Sequence, residues 1–272
     1  MPFLKRHQLK ADKSFGQHFL ISAPAVSAIL DACDGAGSIL EIGPGPGILT
    51  RPLSDAFEHV HAVELDERMA KPLSVCAPRV PVTWGDALKL NLPEIVSAMP
   101  KPLVIVSNMP YYITGPLLGR IEELAGELDR AVLMMQREVG DRILSPAGGS
   151  ERGGLSVAMQ CGFEISRVAD VPPDAFFPPP KVDSVVLRFT PRSVSQSDRK
   201  GLGKALNIGF AQRRKTLENN LATGLRKSKA EIADWLVELE ISPRARPQEL
   251  TNEEWWRLLK LICERVPGFW PV

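Results

Sequence analysis

Ser38-Ile39-Leu40-Glu41-Ile42-Gly43-Pro44-Gly45-Pro46-Gly47 reads as a short buried strand that runs into a glycine-rich turn, with a helical pattern after it at 48–57. The three glycines alternate as G-x-G-x-G. That spacing permits a tight turn and lets a ligand approach the backbone closely. The dinucleotide fingerprint G-x-G-x-x-G is spaced differently, and the lysine of a phosphate-binding loop is absent. Glu41, just before the turn, disfavours a phosphate and suits a cationic or zwitterionic ligand. A glycine turn with no ligand is the alternative, and the neighbouring elements decide against it.

Strand-like runs recur on either side of this unit. Residues 60–65, 81–84, 102–107 and 131–135 are short and apolar, and helical patterns fit between them at 24–33, 67–77 and 114–125. Strand–helix alternation predicts a mostly parallel sheet with helices on both faces. The pattern then changes. Residues 163–168 and 184–189 read as strands with no helix between them. The segment that joins them, 171–180, contains five prolines and is neither helix nor central strand. An antiparallel final hairpin on a parallel sheet is expected, by analogy the topology of class I methyltransferases. Residues 190–197 are polar and aperiodic, as a linker is. Four helical patterns follow, at 198–211, 214–224, 228–239 and 251–265. The expected division is therefore a Rossmann-like domain over 1–192 and a small all-α domain over 198–272.

The chain has 272 residues, room for one large or two small domains. Its net charge of +1 offers no whole-chain argument for an RNA partner. Locally the charge is uneven. Residues 1–30 carry Lys5, Arg6, Lys10 and Lys13 against Asp12; residues 31–199 carry 16 basic and 22 acidic side chains; residues 200–272 carry 13 and 9. An acidic body thus lies between two basic segments. No run reaches the ~20 apolar residues of a membrane span, and the N-terminus lacks the pattern of a secretory signal. Cys33, Cys76, Cys161 and Cys263 form no CxxC pair, so reduced thiols and a cytoplasmic location are expected. His59 and His61 share a strand face but have no further ligand in sequence, and no metal site is expected.

Three more elements stand at predicted strand ends. Glu64 can accept both ribose hydroxyls of a nucleoside. Asp86, in Gly85-Asp86-Ala87, can accept from an adenine amino group. Ser107-Asn108-Met109-Pro110-Tyr111-Tyr112 is the most informative. An exocyclic amine conjugated to a purine is a poor nucleophile because its lone pair is delocalised. The Asn108 carbonyl and the Pro110 backbone carbonyl can both accept from its N–H groups, and Tyr111 offers a flat face to the base. S-adenosylmethionine, with an amine, a carboxylate, a sulfonium and no phosphate, fits the acidic glycine loop.

These motifs together resemble the small-subunit ribosomal RNA adenine dimethyltransferases, the KsgA/RsmA family, over nearly the whole chain. Lys13–Leu20 resembles the family's G-Q-N-F-L segment, Glu41–Gly47 its E-I-G-P-G-x-G loop and Asn108–Tyr111 its N-L-P-Y turn. Phe176–Ser184 resembles F-x-P-x-P-K-V-D-S, and Phe210–Leu217 resembles F-x-Q-R-R-K-T-L. The resemblance implies S-adenosylmethionine contacts at His18, Leu20, Gly43, Gly45, Glu64, Asp86 and Asn108. It implies catalytic roles for Asn108, Pro110 and Tyr111, with the adenine held between Tyr111 and Phe176. His18 replaces the commoner asparagine and Met109 the commoner leucine. The implied substrate is a pair of adjacent adenines in the 3′-terminal hairpin loop of small-subunit ribosomal RNA, each dimethylated at N6. A role in small-subunit biogenesis and a monomeric state go with it. Arg213, Arg214 and Lys215 are the densest basic cluster and the expected RNA contacts; a solvated helix face is the alternative. The macrolide-resistance branch, acting on large-subunit RNA, shares the fold. Lys181-Val182-Asp183-Ser184 and Arg213–Thr216 favour the small-subunit enzymes.

Overall fold

The computed structural model describes residues 17–269. Lys5, Arg6, Lys10, Asp12 and Lys13, residues 14–16 of the first motif and Trp270–Val272 lie outside them. The strands are β1 (Phe19–Leu20), β2 (Ser38–Ile42), β3 (Val60–Glu64), β4 (Val82–Trp84), β5 (Leu103–Asn108), β6 (Arg130–Gln136), β7 (Phe163–Val171), β8 (Phe176–Phe177) and β9 (Ser184–Pro191). The helices are α1 (Ala23–Ala32), α2 (Thr50–Ala56), α3 (Ala70–Cys76), α4 (Leu92–Ser97), α5 (Thr114–Glu123), α6 (Arg137–Leu144), α7 (Gly154–Gly162), α8 (Gln196–Gly209), α9 (Leu217–Leu225), α10 (Lys229–Glu238) and α11 (Asn252–Arg265). None of these is long and apolar enough to cross a membrane.

Seven strands form one sheet in the order β4-β3-β2-β5-β6-β9-β7. The five from β4 to β6 are mutually parallel, and β9 runs antiparallel to β6. The central strands are buried on both faces: all of β2 and Leu103–Ser107 of β5. That is why they read as unbroken apolar runs and not as alternating ones. The chain order reverses at β2, which lies between β3 and β5. In open α/β sheets such a switch point opens a crevice at the strands' C-terminal ends. Register brings those ends level, with Ile42 opposite both Val63 and Ser107, and Glu64 opposite Trp84. The residues that follow, Gly43, Leu65, Gly85 and Met109, therefore emerge on one edge. The proline-rich segment is not wholly irregular. Its Phe176 and Phe177 form β8, which pairs antiparallel with β1, Leu20 opposite Phe176 and Phe19 opposite Phe177.

The chain divides into two compact units, one of residues up to Gly140 with Ile165–Pro191, the other of Asp141–Glu164 with residues from Arg192 on. The expected boundary at 192–198 is thus incomplete, because 141–164 groups with the helical unit. The reason is packing. Val157 and Cys161 of α7 belong to one apolar core with Leu202, Leu221, Leu236, Trp255 and Ile262. Five elements went unread in the sequence: β1, α4, α6, α7 and β8.

In the helical unit α8, α9, α10 and α11 each open on a side-chain cap. Ser195, Thr216, Ser228 and Thr251 accept from the backbone N–H three residues on, and Glu254 returns a bond to Thr251. Each such cap contributes about 1 kcal/mol. Arg152 is buried and donates to the Ser145 carbonyl and to the side chains of Gln160 and Asn252. Lys204 lies over the Phe269 ring and donates to its carbonyl, so the chain packs onto the core up to that residue.

Candidate active site

The crevice at the strand ends is a pocket whose lining includes Gly43, Gly45, Glu64, Asp86, Asn108 and Tyr111, together with His18 and Leu20 from the segment before α1. The glycine turn forms its floor. Gly43, Gly45 and Gly47 all have positive φ, at 75°, 54° and 89°. A side chain at Gly45 would make only ordinary contact with the Phe19 ring, whereas one at Gly47 would meet Leu73 at 2.9 Å. All three glycines thus serve the backbone conformation, and Gly47 also the close packing of the turn.

Four carboxylates line the pocket, Glu41, Glu64, Asp66 and Asp86; among the described lining residues there is no lysine or arginine. Glu64 shapes the loop as well as facing the pocket. Its Oε2 accepts from the Gly45 N–H and its Oε1 from the Asp66 N–H, both at 2.8 Å. Burial raises its pKa, opposed by those backbone donors. Asp66 accepts from Arg68 and from Gln17, and the Arg68 guanidinium holds its carboxyl below the usual range. Asp86 accepts from the Leu88 N–H and lies 3.6 Å from Lys89 Nζ. Glu41 is only 2% exposed, and its Oε2 has no hydrogen-bond partner among the described residues. Burial pushes its carboxyl up to about 8; the Thr50 hydroxyl beside it opposes the rise, and the nearby Glu64 charge adds to it.

A pocket lined by four carboxyl groups and by no lysine or arginine among the described residues disfavours a phosphate and favours a cation. The donor set therefore fits S-adenosylmethionine: acceptors for ribose hydroxyls at Glu64, an acceptor for an amino group at Asp86, and negative charge for an ammonium or sulfonium.

The other end of the pocket is the turn after β5. Asn108 Nδ2 donates to the His18 carbonyl at 3.2 Å. The amide nitrogen is thereby engaged, and the amide oxygen has no partner among the described residues. The Pro110 carbonyl accepts from the Ile113 N–H at 3.1 Å and, at the longer distance of 3.5 Å, from the Thr114 hydroxyl, which lies closer, at 3.3 Å, to the Tyr111 carbonyl. Met109 is buried, in keeping with its apolar replacement of leucine. The Tyr111 hydroxyl bonds Ser184 Oγ at 2.8 Å, and its ring stacks on His18 with centroids 5.7 Å apart.

Phe176 is placed elsewhere. It is 2% exposed, lies in the apolar core with Leu20, Val171 and Ala175, and is not among the lining residues. Alternation along β8 explains this: Phe176 faces the core, while Phe177 packs toward Phe19, Met69 and Ile48. The ring that faces Tyr111 is His18. Ser184 stood in the sequence only as the last residue of the Lys181-Val182-Asp183-Ser184 run, with no role given to it. Asp183 of that run pairs with Arg137 at 3.1 Å.

The basic cluster of the helical unit lies on the turn between α8 and α9, not on a helix face. Arg213, Arg214 and Lys215 are all exposed. Arg213 donates to the carbonyls of Ser150 and Arg152, so it ties that turn to the segment before α7.

The model of the ribosomal RNA adenine dimethylase family matches residues 8–264. A ribosomal RNA small subunit methyltransferase A from Nostoc sp. is 38% identical over 269 residues, which cover 92% of this chain and 97% of that one. Among solved structures, a dimethyladenosine transferase from Plasmodium falciparum superimposes with a TM-score of 0.77 at 26% identity, covering 91% of this chain and 98% of its own. The 23S rRNA methyltransferase ErmE does so with a TM-score of 0.66, also at 26% identity, covering 89% and 98%. The chain belongs to the ribosomal RNA adenine dimethylase family and has the class I S-adenosylmethionine-dependent methyltransferase fold, a mostly parallel sheet finished by antiparallel strands.

Proposed function

We propose that this protein dimethylates the N6 amines of two adjacent adenines in the 3′-terminal hairpin loop of small-subunit ribosomal RNA, as a cytoplasmic monomer acting during small-subunit biogenesis. When bound, S-adenosylmethionine supplies an electrophilic methyl group on a sulfonium. Gly43 and Gly45 let it lie against the backbone, Glu64 accepts its ribose hydroxyls, Asp86 its adenine amino group, and Leu20 closes one wall. Glu64 and Asp66 provide negative charge that favours the cation, and a bound cation would favour the ionised form of Glu41.

The observation that carries the reading is the state of the Asn108 amide. With Nδ2 spent on the His18 carbonyl, the free Oδ1 is the atom left for an amine N–H. The Pro110 carbonyl accepts the second N–H in place of the long contact from the Thr114 hydroxyl, which keeps its nearer acceptor, the Tyr111 carbonyl. Accepting both draws the nitrogen toward tetrahedral geometry and directs its lone pair at the methyl carbon. This is preorganised electrostatic and orientational catalysis, and no general base is required. Tyr111 supports the base by stacking. An adenine in a loop is easier to present than one in a duplex. Exposed Arg214 and Lys215 are the candidate phosphate contacts of the helical unit, and Arg213 holds their turn.

Asn108→Ala tests the mechanism. Affinity for S-adenosylmethionine, measured by calorimetry, stays within a few fold, while methyl transfer to unmodified small subunits falls about 100-fold, the scale of one preorganised polar contact. Unchanged turnover would remove Asn108 from the reaction.

A further inference from the structure

His18 makes three contacts that converge on the reacting end of the pocket. Its Nδ1 lies 2.8 Å from the Pro178 carbonyl oxygen. A carbonyl only accepts, so Nδ1 carries a proton and donates. Its ring stacks on Tyr111, with centroids 5.7 Å apart and planes 25° from parallel. Its own carbonyl accepts from Asn108 Nδ2. Tyr111 is held at its far end by Ser184. Pro178 follows directly on β8, whose partner strand β1 begins one residue after His18. One side chain therefore links the proline-rich segment to the tyrosine ring, and the same residue's backbone orients the asparagine.

We propose that His18 is the positioning residue of the amine site. Its imidazole backs one face of Tyr111 and is itself fixed by Pro178. At 5.7 Å the two rings leave no room for a purine between them. The base therefore stacks on the opposite face of Tyr111, which the imidazole keeps at a set angle. On the amine site His18 acts through Tyr111. This consequence for turnover rests on the methyl-transfer reading above; the ring contact does not.

The chain has only two tyrosines, Tyr111 and Tyr112. Incorporated 3-fluorotyrosine therefore gives two fluorine resonances, and Tyr112→Phe assigns them. His18→Ala is expected to shift the Tyr111 resonance, to leave the calorimetric Kd for S-adenosylmethionine within a few fold, and to lower kcat about 10-fold, a typical effect of a misplaced reacting group. His18→Phe retains a ring and restores most of kcat. His18→Asn retains a donor for Pro178 but no ring, and shifts the resonance as alanine does. These two near-isosteric variants carry the comparison if the alanine variant does not fold. A Tyr111 resonance unmoved by loss of the ring would overturn the proposal. So would a loss of cofactor affinity as large as the loss in kcat/KM. A wild-type protein that transfers no methyl group, while its Tyr111 resonance still responds to His18, would contradict the methyl-transfer reading and uphold the contact.

Discussion

Glu41 illustrates how one residue serves a ligand at the expense of the empty fold. Its carboxyl is buried and pushed up to about 8, so the folded protein holds a proton there that the unfolded chain releases near 4.5. A raised carboxyl contributes stability that is complete below the unfolded value and declines as pH rises toward the folded one. The raised Glu64 works in the same direction. The cofactor-free protein should therefore lose thermal stability as pH rises from 4.5 to about 8. Glu41→Gln should flatten that slope. Parallel pH–Tm curves for the two proteins would show that Glu41 carries no such linkage. The residue was legible in sequence as an acid before a glycine turn. Its unpartnered oxygen was not, since that depends on which neighbours the sheet brings near it.

At the scale of elements, the glycine turn joins β2 to the helical turn before α2 in a conformation that side chains resist. Gly47 has φ of 89°, and an added Cβ would lie 2.9 Å from Leu73 Cδ1 and 3.1 Å from Cys76 Cβ. Gly47→Ala should destabilise the fold by about 1–3 kcal/mol through backbone strain, with crowding in addition. Chemical denaturation measures this, and a midpoint equal to wild type would contradict the close packing of the turn on α3. The strands at this edge were readable because burial on both faces leaves long apolar runs. Two other elements were hidden for identifiable reasons. α7 begins and ends in glycine, which weakens its helical signal. Phe176 and Phe177 are adjacent aromatics, and only the pairing of β8 with β1 decides which one faces the core. The structure buries Phe176, which the sequence suggested as a stacking residue, in the apolar core. The ring against Tyr111 comes instead from His18, some 90 positions earlier in the chain than Asn108, to which its carbonyl is bonded.

For the whole molecule, charge is the property that composition conceals. The +1 total divides into a basic stretch over residues 1–30, an acidic stretch over 31–199 that holds most of the pocket, and a basic stretch from residue 200 to the end. Within the latter the structure separates neighbours that looked equivalent. Arg214→Ala and Lys215→Ala should each weaken RNA binding and lower the slope of log affinity against log salt by about 1, without changing stability. Arg213→Ala should also reduce stability, because it releases the carbonyls of Ser150 and Arg152. Equal effects of all three on folding and on salt dependence would show that Arg213 is no tether. The division into two units was only partly legible, since the segment 141–164 joins the helical core through α7 and not through the local pattern of its sequence. The most direct test of the proposed activity is to map the methylated nucleotides after reaction of the purified protein with labelled S-adenosylmethionine and ribosomal subunits that lack the modification. The expected result is dimethylation of two adjacent adenines in the 3′-terminal loop of small-subunit RNA. Label found only in large-subunit RNA would contradict it.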